Sequence, residues 1–284
     1  MNRKDGVKVK NIDGMHSLMP FILKDRVDSD VYINAKLDVT ELVKYVNKMK
    51  KQEEYKNLTY FHVFAMAAGK LFYNRPLLNR FIINKNYYDR KFVSLSFVAK
   101  KEFKDNSEEN LTVIKVEKDD NLLTISNNIS GNVKDIRNKK NNNTDDFINN
   151  IGKLPKFLRW LIIKIVKFAD NHDLLPVSLT DNSIYHSSLL LSNLGSINCD
   201  GAIYHHLTDF GTNSILMTIG KIKDEQKVIN GKIEIRKICE FGLNLDERIA
   251  DGFYFVKSLE LFDYILNHPK LLEERADSII EINR

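Results

Sequence analysis

The chain has 284 residues, 43% hydrophobic and 29% charged, with a net charge of +5. This is enough for one large domain or two small ones, and with only 12 glycines, 5 prolines and 2 cysteines it argues against a fibrous repeat, a long flexible linker and a disulfide framework. The lysine excess is split between 44–56 and 134–167 without a binding motif, which argues against a nucleic-acid partner, and no apolar run reaches the ~18–20 residues that span a bilayer.

Residues 31–39 alternate apolar and polar and predict a strand. Asp38 or Thr40 then caps a helix whose apolar face is Leu42, Val43, Val46 and Met49. The next predicted helix, 59–74, is apolar almost all round and is therefore expected to be buried, with His62 as a core histidine. Arg75-Pro76 ends it. Strands are expected at 81–83 and 92–99, separated by a polar turn around 84–89. From 100 to 150 the pattern weakens, and 132–150, rich in Asn, Lys and Asp, is expected to be a polar helix or a loop.

Pro155 suits the start of a helix over 155–168. Lys156, Arg159, Lys164 and Lys167 share one side of it, and the rest is broadly apolar with Trp160, the chain's single tryptophan. Such a basic amphipathic helix can lie on a membrane surface, fill a partner's groove, or cover the protein's own core or a subunit interface. Strands resume at 189–192, 215–221 and 233–245, with a hairpin turn at Asn230-Gly231. A helix over 252–266 stops at His268-Pro269, and a short helical tail follows. Cys199 and Cys239 form no metal-spaced cluster, and the N-terminus is polar, so a reduced, cytoplasmic protein is expected.

Several stretches carry chemistry. Leu37-Asp38-Val39-Thr40 precedes the first long helix, and Asn74-Arg75-Pro76 follows the buried one. Leu191-Ser192-Asn193-Leu194-Gly195, Thr218-Ile219-Gly220-Lys221 and Asp246-Glu247-Arg248-Ile249-Ala250-Asp251-Gly252 come later. In this order they resemble chloramphenicol acetyltransferase and, more closely, the catalytic domain of the 2-oxoacid dehydrogenase acyltransferases. The resemblance implies an α/β, chloramphenicol acetyltransferase-like two-layer sandwich with a mixed sheet. It covers most of the chain except about 100–188, and implies one catalytic domain over 1–284 with an insertion there that carries the helix at about 153–170. It also implies a homotrimer with active sites between subunits and coenzyme A or an acyl-CoA (or lipoamide) as cosubstrate; no metal is expected, because the sequence has no H-x-x-H or C-x-x-C pair and His205-His206 lacks carboxylate support beyond Asp209. No lipoyl or subunit-binding segment is recognised ahead of the catalytic part, so a complete dehydrogenase-complex core is not expected from this chain alone.

By that resemblance Ser192 donates a hydrogen bond to the oxyanion, Thr218 supports the intermediate through water, and Asp251 pairs with an arginine near the N-terminus. Asn193, Gly195, Arg248 and Gly252 are structural members of the same motifs. His16 stands, on a loose count, where that arginine should be. The departure is Glu247, which occupies the place of the general-base histidine. An ordinary Glu, with a pKa of about 4.3 against about 6.5 for His, is the weaker base unless burial raises it. Glu247 either does that work or pairs with a cation such as Arg248 and holds the loop. His205 or His206, with Asp209 as orienter, could replace it as base, or both could be plain loop histidines. Two functions therefore stand open. One is CoA-dependent acyl transfer from a thioester to a hydroxyl or thiol with an atypical base. The other is a catalytically silent acyltransferase fold that binds a ligand, a partner or a membrane surface through 155–168.

Overall fold

A computed structural model describes residues 1–100, 109–138, 150–201 and 203–282. Its centre is a mixed sheet. Strand β2 (Asp30–Asp38) lies at one edge, followed in space by β10 (Lys232–Asp246), β8 (Ile215–Ile219), β7 (Leu189–Asn193), β5 (Val93–Lys100) and β6 (Glu109–Val116). The pairs β5–β7 and β7–β8 are parallel, and the others along this path are antiparallel. Strand β9 (Lys223–Ile229) pairs with the first half of β10, so this hairpin projects from the sheet and leaves Val228, Ile233 and Ile235 exposed. A small second sheet joins β1 (Gly6–Lys8), β4 (Asn86–Arg90) and β3 (Arg80–Ile83).

The period-two alternation sorts the main sheet into two faces. Leu189, Leu191, Ile215, Met217, Ile219, Phe241, Leu243 and Leu245 enter the main core. They meet three helices, α2 (Thr40–Met49), α3 (Tyr60–Asn74) and the long C-terminal helix at Gly252–Asn267. Helix α3 is buried from His62 to Phe72, as its all-round apolar surface predicts. The opposite face carries Ser192, Thr218, Gly242 and Asn244 and forms the candidate site.

The expected turn over 84–89 is shorter than predicted. Asn84 and Lys85 alone make it, both at positive φ (46° and 60°), and Asn86–Arg90 forms β4. The weak stretch after 100 holds β6 and α4 (Leu122–Asn138); the predicted polar segment beyond Asn138 lies, up to residue 149, outside the described residues. Helices α5 (Lys156–Asn171) and the short α6 (Val177–Thr180) also precede β7, and the C-terminal helix is labelled α7. A short helix, α1 (Gly14–Ile22), which the sequence pattern did not predict, stands near the N-terminus. Pro155 caps α5 rather than opening it. Among the described residues no helix is long and apolar enough to cross a membrane.

Candidate active site

Ser192, Thr218 and Gly242 lie in one row across three neighbouring strands: Ser192 pairs with Thr218, and Thr218 with Gly242. Alternation places all three on the face away from α2, α3 and α7. The Thr218 hydroxyl is buried and donates to the carbonyl of Ile203 at 3.0 Å, with the Gly242 carbonyl at 3.3 Å. A Cβ on Gly242 would stand 2.5 Å from the Thr218 Oγ1, so this approach requires glycine. Gly195 is constrained in the same way, since its Cβ would lie 2.8 Å from the Gly220 carbonyl oxygen. The S-N-L-G stretch thus ends β7 and turns tightly against the end of β8, with Asn193 accepting a 2.7 Å hydrogen bond from Ser196.

Ser192 opens into a cleft of about 390 Å³, lined by Phe61, Phe97, Leu190, Leu216 and His205 among others. It is mostly apolar, which suits a thin acyl or thioester arm, and its polar lining residues are Ser192, Asn193, Ser196, His62 and His205. The His205 backbone N–H donates to Asn244 Oδ1 at 3.1 Å, which fixes the loop over the sheet. Nδ1 of His205 lies 3.1 Å from the carbonyl oxygen of His206. A carbonyl only accepts, so Nδ1 is the donor in this contact, and in the neutral ring Nε2 is the acceptor nitrogen.

The other candidates lie elsewhere. Glu247 follows Gly242 by five residues, about 16 Å along the strand direction at ~3.3 Å per residue, so in one chain it stands far from Ser192. Its backbone N–H bonds the carbonyl of Ser29, but its carboxylate has no hydrogen bond or ion pair among the described residues. The expected pairing with Arg248 does not form. Arg248 instead grips Asp246 with two bonds, at 2.8 and 2.7 Å, and donates to the carbonyl of Leu23. Burial opposes the charge of Arg248, but the Asp246 carboxylate outweighs it and raises the guanidinium's pKa.

The expected base-and-orienter pairs are also absent among the described residues. Asp209 accepts the backbone N–H of Arg26 at 2.7 Å and bonds neither His205 nor His206. The side chain of Arg26 is buried and held by the carbonyls of Thr208, Ile82 and Gly211. His206 is exposed, near the Asp30 carboxylate. His16 bonds Asp13 at 2.6 Å at the start of α1, not Asp251. Asp251 instead accepts the backbone N–H of Tyr254 at 2.7 Å and caps α7, with Gly252 as its first residue. Of these pairings, Asp209–Arg26 joins residues 183 apart and no short spacing encodes it, whereas His16–Asp13, Arg248–Asp246 and the Asp251 N-cap are local. Asn244, which the sequence reading did not single out, is fully buried beside the site and leaves its Nδ2 without a partner among the described residues. Its place between Tyr32 and Leu216 follows only from strand register. No group of three or more His, Cys, Asp or Glu side chains is arranged to hold a metal among the described residues.

The mixed sheet and the helices packed on it have counterparts. Over most of its length the chain is similar to a probable dihydrolipoamide acetyltransferase of Listeria monocytogenes (19% identity, 93% of this chain and 95% of that one, TM-score 0.61). The chain has the chloramphenicol acetyltransferase-like acyltransferase fold. Chloramphenicol acetyltransferase itself matches at 12% identity over 93% of this chain and 99% of that one, with a TM-score of 0.55. The dihydrolipoamide acetyltransferase of Azotobacter vinelandii, in whose catalytic mechanism a serine, a histidine and an asparagine have been investigated, matches at 15% identity over 93% and 94%, TM-score 0.61. Within this acyltransferase fold, residues 173–273 match the family model of the 2-oxoacid dehydrogenases acyltransferase (catalytic domain). That stretch holds the Ser192 row, His205 and Glu247. Among curated proteins no sequence match is found.

Proposed function

We propose that this chain, as one catalytic domain, transfers an acyl group from a thioester such as an acyl-CoA or acyl-lipoamide to a hydroxyl or thiol acceptor. One observation carries the reading: Ser192 and His205, whose Nε2 has no hydrogen bond among the described residues, line the same apolar cleft. Ser192 donates its hydroxyl proton to the oxygen that gains charge as the acceptor attacks the carbonyl, an interaction of about 3–4 kcal/mol in comparable sites. His205 Nε2 takes the acceptor's proton and returns it to the leaving sulfur. Thr218, bonded to two carbonyls, keeps the loop at Ile203 close to the sheet and so positions His205.

Glu247 is the second candidate for the base. Its distance from Ser192 within one chain means that it serves only if a neighbouring subunit brings it there. The resemblance to trimeric acyltransferases supports such a homotrimer, with the open sheet face turned towards the next subunit. A reduced, cytoplasmic setting suits the two free cysteines. A second reading is an acyltransferase fold that binds an acyl ligand without turning it over, and Glu247 in the histidine's place supports it.

Thiol release from a panel of acyl-CoAs separates these readings. Turnover by the wild type, lost about 10²–10³-fold in Ser192→Ala and 10²–10⁴-fold in His205→Ala, supports transfer with the histidine as base. Loss in Glu247→Gln with His205→Ala unchanged moves the base to the carboxylate. An inert wild type that gains activity on Glu247→His establishes the silent fold.

A further inference from the structure

Helix α5 is unusual for a helix beside a core. Of Lys156–Phe168, only Ile162 and Val166 are partly covered, and the rest are exposed. Phe157 (67%), Trp160 (52%) and Phe168 (60%) stand in solvent together with Leu158, Leu161, Ile163 and Ile165. The helix therefore does not cover the protein's own core. It is attached mainly at its C-terminal end, where the buried Asp170 bonds Arg3 and His186.

Every charge on the exposed length is positive: Lys156, Arg159, Lys164 and Lys167, with no Asp or Glu before Asp170. At about 100° per residue these cations occupy one arc, and Phe157, Leu158, Leu161, Ile165 and Phe168 occupy the adjoining one. Lys164 Nζ sits 4.0 Å over the Trp160 ring at the seam between them. Helix α1 borders the same hollow as the end of α5 and exposes Met15, Leu18 and Phe21, with Lys85 Nζ 4.6 Å over the Phe21 ring. Lys24 and Lys85 line this hollow with Lys167.

We infer that α5 docks on an anionic lipid surface, its apolar arc entering the headgroup boundary and its cations meeting lipid phosphates. Aromatic rings flanked by lysines at the edge of an apolar arc fit that boundary, where one side is dry and the other wet and negative. Charge decides against a two-fold pairing of this face with itself, which would set four cations against four; cover by a different face of another copy is an outcome of the test. The inference is independent of the acyl-transfer reading, since α5 lies outside the Ser192 cleft.

Flotation of the full chain with phosphatidylcholine vesicles, with and without one third phosphatidylglycerol, tests it. Trp160, the single tryptophan, reports directly. The expected result is flotation with the anionic vesicles only, a blue shift of Trp160 emission, and release by high salt. Lys164→Gln/Lys167→Gln should lower the partition coefficient about 25-fold, each lysine near an anionic leaflet contributing roughly five-fold. Phe157→Ser/Phe168→Ser, which removes rings that already face solvent, should abolish the blue shift while circular dichroism stays unchanged. Absence of flotation, or flotation with no change at Trp160, overturns the proposal. So does a Trp160 already blue and shielded from acrylamide without lipid, which would mean that another protein copy covers α5.

Discussion

Arg248 and Asp246, two residues apart, close a two-pronged ion pair in the interior, with side chains 3% and 0% exposed. The pair turns the chain out of β10, ties it to the carbonyl of Leu23, and leaves Glu247 between them as the carboxylate without an ion pair among the described residues. Removing one member strands the other charge. Asp246→Asn should therefore cost on the order of 3–5 kcal/mol, whereas Glu247→Gln should stay within about 0.5 kcal/mol. Urea midpoints of the two variants check this; equal losses would mean that Glu247 has a buried partner in the folded assembly.

The Gly242–Thr218 approach gives a paired prediction. Gly242→Ala drives a methyl against the Thr218 Oγ1, where only 2.5 Å is available, and overpacking of this kind costs about 1–3 kcal/mol. The displaced Thr218 loosens its bond to Ile203, so thiol release should fall as well. Thr218→Ala in the Gly242→Ala background removes the clashing oxygen and should recover part of the stability but not the activity. Thermal unfolding and thiol release measured side by side would refute the account if both recovered together.

How far the sequence disclosed this arrangement depends on where the apolar signal runs. The buried helix at 59–74 and the strands at 31–39 and 189–192 were legible because burial imposes a period. Strand β9, Lys-Asp-Glu-Gln-Lys-Val-Ile, was missed because its hairpin projects and neither face needs to be uniformly apolar. The Ser192 and Thr218 motifs were legible, but their facing register was not, since it depends on the parallel pairing of strands more than twenty residues apart. Asp209 looked like an orienter for the neighbouring histidines, and only the folded chain shows that Arg26, 183 residues away, takes it.

His62 should make stability depend on pH. It is buried against Ser126, whose hydroxyl lies 2.9 Å from Nδ1, and burial, with Lys50 adding to it, lowers its pKa to about 4. The unfolded chain, with a His near 6.5, therefore binds more protons between those values. The neutral form's contribution is complete above pH ~6.5 and is lost as pH falls towards ~4, roughly 3 kcal/mol at most at 1.36 kcal/mol per unit. His62→Gln should flatten unfolding free energy over that window. Equal slopes for variant and wild type would show that the ring charges freely in the fold.

Asp170 holds α5 to the rest of the protein. Its backbone carbonyl accepts from Arg3 at 2.7 Å, and its carboxylate oxygens lie 3.3 Å from Arg3 and 3.2 Å from His186 Nε2. Burial alone would raise its pKa, but His186 and Arg3 outweigh burial and hold it below the usual carboxylate range. Its contribution is thus present above the unfolded value of about 4 and is lost as pH falls below that. At neutral pH, Asp170→Asn leaves Arg3 with less compensation and should cost about 3 kcal/mol. Because few other contacts hold α5, the loss should appear as local opening: faster amide exchange over 156–171, with the strands around Ser192 still protected. Uniformly faster exchange across the sheet would instead make the Arg3–Asp170–His186 cluster a support of the whole core.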